Sequence, residues 1–266
     1  ALRDRGTIYE AWGKYSKATA DYEEALRLFN ELGLRMGRAW VLADQSIVFT
    51  DQRKLDVAEK LCSEAIAIFR EYSIRRGEGW ALRAMGDLAR EGQNVVKARV
   101  QYEEAQAIFH ELGDRVDYAR VLCSLGAILF DEGEYLAAKD MYEQAQAIAH
   151  EQGAKQIDGR ALRGLGDIAR VFHQLTEAER YYHKALTIAI DLDTPAEHCA
   201  VLRRQGQIYE EQGKYHEALD HWVHALALDV RLGHPTRAYL QEKVCALVAE
   251  HQLEELYAEL RKQYTL

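Results

Sequence analysis

The chain has 266 residues, 48% of them hydrophobic and 29% charged, a balance that excludes a disordered polymer and suits a soluble folded protein. Two prolines in that length argue against a loop-rich or all-β fold and for long helices. Lys and Arg total 34 against 43 Asp and Glu, and this net charge of −9 disfavours non-specific nucleic-acid binding; no stretch reaches the ~18 consecutive apolar residues of a membrane-spanning helix.

From its first residue the chain reads as helix. It opens at Ala1 inside a helical pattern, without a basic and apolar leader, so a longer protein continuing upstream is expected, with the first unit truncated at its start. Ala18, Ala58, Ala98, Ala138, Ala178 and Ala218 then recur every 40 residues, each followed seven residues later by another Ala, from Ala25 to Ala225. Between them lies an aromatic slot holding Tyr22, Tyr102, Tyr142, Tyr182 and Trp222, with Cys62 the exception. Twelve residues before the first Ala is a small slot: Gly6, Ser46, Gly86, Gly126, Gly166 and Gly206. Such a period marks a repeat architecture.

Each unit reads as two helices. In the third, Trp80, Leu82, Met85 and Ala89 keep helical spacing until Gly92, and the pattern resumes from Val95 through Phe109 to Gly113. Gly33, Ser73, Gly113, Gly153, Asp193 and Gly233 occupy the stop slot after the second helix, where a left-handed residue is expected; Pro195 and Pro235 follow two of these stops. Small slots allow close helix approach, since Gly inside a helix costs about 1 kcal/mol relative to Ala and is kept where a side chain would collide. The aromatic slot is expected to fill the gap between units. Beyond the sixth unit, residues 236–250 and 253–264 form two more helical patterns; Ala258 keeps the register but Lys262 takes the aromatic slot, as suits a polar capping unit.

These slots, at fixed spacing in a two-helix unit, resemble the tetratricopeptide repeat. The commonest form is 34 residues long, so the 40-residue period is a departure, as is the lack of a closing Pro in most units. The longer variant is similar to repeats in sensor domains of bacterial signal-transduction ATPases and in some eukaryotic scaffold and motor-adaptor proteins; Gly86-Asp87-Leu88-Ala89-Arg90 and Gly166-Asp167-Ile168-Ala169-Arg170 look closest to the bacterial group. The resemblance implies an all-α, right-handed superhelical solenoid of antiparallel helix pairs. Residues 1–234 would form six repeats and 235–266 a degenerate seventh acting as C-terminal cap, in one continuous solenoid.

Catalytic and metal motifs are missing. His110-Glu111 and His150-Glu151 run into Gly rather than completing HExxH, and neither Gly13-Lys14 nor Gly213-Lys214 has a P-loop glycine upstream. His216, His221 and His224 lie close together, but no ligand partner is fixed by spacing, and solvated surface histidines are expected. The four cysteines form no CxxC pair and sit in apolar patterns, which suits reduced core residues in the cytoplasm. Neither an enzyme nor a cofactor is called for.

The family resemblance places first helices on the concave surface. Inward side chains are then expected 6 and 3 residues before the small slot and 1 and 4 after it, one helical face. From the second unit to the sixth this selects Trp40, Ala43, Ile47 and Thr50; Trp80, Arg83, Asp87 and Arg90; Arg120, Cys123, Ala127 and Phe130; Arg160, Arg163, Asp167 and Arg170; and Ala200, Arg203, Gln207 and Glu210. Seven Arg, no Lys and three acids give this face +4 inside a chain of −9. Arg binds carboxylate or phosphate through a planar fork, which suits a basic groove for an acidic ligand. Against that stands a plainer arrangement: Arg83-Asp87-Arg90 and Arg163-Asp167-Arg170 have the spacing to pair within their own helices, worth about 0.3–0.5 kcal/mol per exposed pair. Trp40 and Trp80 read equally well as groove anchors or as packing between units.

The expected function is therefore a protein-interaction module. An acidic peptide, a protein segment or another domain of the same parent chain would bind Arg83, Arg90, Arg120, Arg160, Arg163, Arg170, Arg203 and Gln207, with Asp87 and Asp167 positioning the arginines and an apolar side chain docking near Trp40, Trp80 and Phe130. In the sensor reading this piece regulates a larger signalling protein. The alternatives are a scaffold arm that self-associates through its exposed first repeat, and a sensor for an anionic small molecule.

Overall fold

The structure, a computed structural model, describes residues 1–232 and 237–265. Among them are fourteen α-helices in consecutive pairs. The pairs are α1 (Leu2–Ala11) with α2 (Tyr15–Glu31), α3 (Arg35–Asp51) with α4 (Leu55–Glu71), α5 (Arg75–Glu91) with α6 (Val95–Glu111), and α7 (Arg115–Asp131) with α8 (Tyr135–Gln152). There follow α9 (Lys155–Val171) with α10 (Leu175–Asp191), α11 (Pro195–Glu211) with α12 (Tyr215–Leu232), and α13 (Arg237–His251) with α14 (Glu254–Gln263). No described helix is long and apolar enough to cross a membrane.

The left-handed stop is present at Gly33, Ser73, Gly113, Gly153 and Asp193, with φ between 47° and 66°. Gly233 and Pro235 lie outside the described residues. Within the third unit the break differs from expectation: Gly92 has φ −78°, and the left-handed residue is Gln93 at φ 60°. Pro195 takes the first position of α11, where a missing N–H costs no helical bond.

Every first-series Ala, from Ala18 to Ala218, is fully buried. The aromatic ring lies on the small residue of its own repeat and also clusters with the next one, Tyr22 with Val41 and Val48 and Tyr182 with Val201 and Ile208. A Cβ at Gly86 would stand 2.5 Å from Tyr102, at Gly126 2.9 Å from Tyr142, and at Gly206 2.9 Å from Trp222. Only hydrogen fits there. The second repeat solves the same contact with two small residues, Ser46 and Cys62, and the Cys62 thiol donates to the Ala81 carbonyl at 3.0 Å.

By packing, the chain divides into two compact units, one of Ala1–Glu10 with Lys14–Ile157, the other of Ala11–Gly13 with Asp158–Leu266. In the first, α3 packs on α4 and α5, and α5 on α6 and α7. In the second, α11 packs on α10 and α12, and α12 also carries α13 and α14. There Leu240, Val244, Leu247, Leu253 and Leu260 bury against the core around Trp222, while Ala258, in register with Ala218, is exposed.

Candidate functional site

In the first unit the inward columns carry matched charges. Arg3 Nε donates to Asp44 at 2.6 Å, and Arg120 Nε to Asp117 at 3.3 Å. Arg83 pairs with Asp87 one turn along α5, the intrahelical arrangement its spacing predicts, and is only 5% exposed. Arg90 turns instead to Asp131, 3.4 Å away on α7. Asp87 is held from the other side by the Tyr102 hydroxyl, which donates at 2.7 Å. Burial pushes the Asp44 carboxyl up against the pull of Arg3.

The aromatic residues of this unit sit among guanidinium groups. Trp40 meets the Phe69 ring edge-on at 4.8 Å with Arg3 4.9 Å from its centroid. Trp80 has Arg83 at 4.7 Å and Arg120 at 5.2 Å. Phe130 packs edge-on against Tyr135 at 5.4 Å.

In the second unit the balance changes. Asp167 accepts from the Tyr182 hydroxyl at 2.6 Å and from Arg204 Nε at 2.7 Å, partners from α10 and α11 that helical spacing within α9 does not offer. Arg170 reaches Glu211 at 2.9 Å. Arg163 and Arg160 converge on one carboxylate, Glu197, at 3.2 and 3.7 Å. Burial alone would raise the Glu197 carboxyl, but Arg163, Arg160 and Arg204 outweigh it and hold it below its usual range. Glu210 is paired with Lys243 at 2.7 Å. Arg203 and Gln207 are half-buried on α11, and Arg203 has no carboxylate partner among the described residues. On this face Arg160, Arg163, Arg203 and Arg204 therefore stand against two carboxylates, Asp167 and Glu197.

Sequence reasoning missed Arg3, Glu10, Asp44, Glu197 and Arg204. Arg3 and Glu10 fall on the same inward columns about Gly6 and were legible there. Asp44 and Arg204 share a column two residues before the small slot, which the inward pattern omitted. Glu197 had a signal pointing elsewhere: Thr194-Pro195-Ala196-Glu197 has capping-box spacing, yet Thr194 makes no side-chain cap and its hydroxyl donates to the Ala189 carbonyl at 3.2 Å.

The expectation of solvated histidines needs correction. His224 stacks on Tyr264 at 4.5 Å and meets His198 at 5.0 Å, while His221 lies 4.9 Å from Tyr209; only His216 is exposed. Burial lowers His198 to about 4. These rings join α11, α12 and α14. Among the described residues no three His, Cys, Asp or Glu are grouped to hold a metal ion.

Residues 77–151 and 158–229, together more than half the chain, match the family model of the tetratricopeptide repeat. The chain belongs to the tetratricopeptide repeat family. Residues 4–31 match a second model of that repeat. No curated protein matches the sequence. Among solved structures, a Rap protein complexed with competence and sporulation factor aligns with TM-score 0.70 and 15% identity over 98% of this chain and 76% of that one. BtubC from P. vanneervenii gives 0.60 and 20% over 80% and 89%. A signal transduction ATPase with numerous domains from Pyrococcus horikoshii, which has a tetratricopeptide repeat sensor, gives 0.63 and 15%; the alignment covers 97% of this chain but 44% of that protein. At these identities the likeness is one of fold, an all-α solenoid of helix pairs. A tetratricopeptide repeat chain of this kind is a protein-interaction module.

Proposed function

We propose that this tetratricopeptide repeat module binds an acidic segment of another protein, or of its own parent chain, on the face of its second unit, as the regulatory part of a larger signalling protein. One observation carries the reading: Arg160 and Arg163 both reach Glu197 and Arg203 has no carboxylate partner among the described residues, whereas Arg3, Arg83 and Arg120 in the first unit each meet a carboxylate. A carboxylate arriving among half-buried guanidinium groups makes charge-assisted hydrogen bonds of about 1.5–3 kcal/mol, more than an exposed pair contributes. The sensor named in the Pyrococcus horikoshii ATPase and the factor bound by the Rap protein support a regulatory role for such a fold.

The reading moves weight away from several candidates. Arg83 is buried and paired, and Trp40 and Trp80 are read as packing, since rings and guanidinium groups already occupy their surroundings. Arg160, Arg163, Arg203 and Gln207 are the residues expected to meet ligand, with Arg170 at the edge beside Glu211.

A peptide-display selection on the parent and on Arg163→Glu/Arg203→Glu tests the proposal. Acidic peptides are expected to enrich on the parent alone, with unchanged helicity in the variant. Equal enrichment on both would overturn it.

A further inference from the structure

We infer that Glu197 occupies the seat of the ligand's carboxylate, and that an acidic segment enters by exchanging with it. This rests on the second unit being the binding face. The argument starts from register. Arg3 and Asp44 are 41 residues apart and form an ion pair; the same offset joins Arg76 to Asp117, Arg90 to Asp131 and Arg170 to Glu211. Applied to Arg163 it selects Arg204, a like charge where the other pairs have a carboxylate.

The side chain that resolves this conflict comes from outside the register. Glu197 stands 3.2 Å from Arg163 and 3.7 Å from Arg160, and Arg204 adds to the field on it. Two guanidinium groups thus converge on a single carboxylate, within the field of a third. Arg204 also spends Nε on Asp167 and Nη1 on the Ala200 carbonyl, which keeps it in place whether or not Glu197 stays.

Glu197 also has somewhere to go. It is the third residue of α11, three after Thr194, and so lies in the first turn, where the positive end of the helix dipole favours a carboxylate, although the Thr194 N–H is already given to the Ala189 carbonyl. Exchange conserves charge, one carboxylate leaving the arginines as another enters, so no uncompensated ion is left buried. Glu197 then acts as an internal competitor that sets a threshold for acidic ligands.

The test compares the parent with Glu197→Gln, using a fluorescent hexaglutamate peptide and a hexaglutamine control in anisotropy titrations. Glu197→Gln is expected to bind hexaglutamate about five-fold tighter or more, and Arg163→Glu added to it to abolish the gain. Equal or weaker binding by Glu197→Gln overturns the exchange while leaving the binding face standing; no binding by either protein overturns both. Because Glu197→Gln leaves Arg160 and Arg163 without their shared carboxylate, thermal melts are run in chloride and in inorganic phosphate at matched ionic strength. Phosphate is expected to narrow the variant's deficit in Tm, or to restore helicity if it does not fold in chloride. A deficit indifferent to phosphate overturns the seat.

Discussion

Glu10 shows how one side chain sets a pH dependence. Burial, with Asp44 and Asp51 as like-charged neighbours, pushes its carboxyl up to about 8 against the Tyr22 hydroxyl, which donates to it at 3.0 Å. In the unfolded chain the same group ionises near 4.5. Between those values the folded state holds a proton that the unfolded state has released, so this contribution to stability falls as pH rises through the window. Glu10→Gln keeps an acceptor for Tyr22 and removes the titration. Urea midpoints measured across that range are expected to decline less steeply in the variant; parallel slopes would place Glu10 in the ordinary carboxylate range. The sequence marks Glu10 as inward-facing, but only its neighbours in space make its proton costly to lose.

At the scale of the helix pair, the small slot and the ring are one device. In α9 and α10, the Tyr182 ring covers Gly166 and its hydroxyl is tied to Asp167, itself held by Arg204. A methyl at Gly166 therefore meets a ring that has little freedom to yield. Gly166→Ala is expected to destabilise by about 1–3 kcal/mol through overpacking, in excess of Gly126→Ala, where the added Cβ stands 2.9 Å from Tyr142. Urea unfolding of the two variants checks the order, and a stabilised Gly166→Ala would contradict it. The slot pattern was legible from spacing alone. That Ser46 and Cys62 solve the contact without a ring was visible as an exception, but its solution, a thiol directed to the Ala81 carbonyl, was not.

Across the whole molecule, charge and exposed apolar surface act in opposite directions. Leu32, Leu34 and Met36, at the turn from α2 to α3, are 68%, 50% and 48% exposed. A net charge of −9 keeps copies apart at low salt, and screening weakens that repulsion. Weak self-association that grows with salt and disappears in Leu32→Glu/Met36→Glu is the expected result of sedimentation velocity over a concentration series. A monomer at every salt concentration would remove the scaffold-arm alternative.

The sequence by itself determined the 40-residue period, the two-helix unit, the small slots and the family, because each depends on local helical spacing and on volume at a repeated contact. It also marked Arg160, Arg163, Arg170 and Arg203 as one column set. The Arg83–Asp87 pair follows from helical spacing, but the carboxylates that Arg90, Arg160, Arg163 and Arg170 reach on neighbouring helices were decided only by tertiary structure. Helical spacing offers Asp167 to Arg163 and Arg170; the fold also brings it Tyr182 and Arg204, and brings Arg163 to Glu197 in the first turn of α11. The physical reason is that an arginine reaches several carboxylates at similar cost within its own helix, and the offset of the neighbouring helix selects among them.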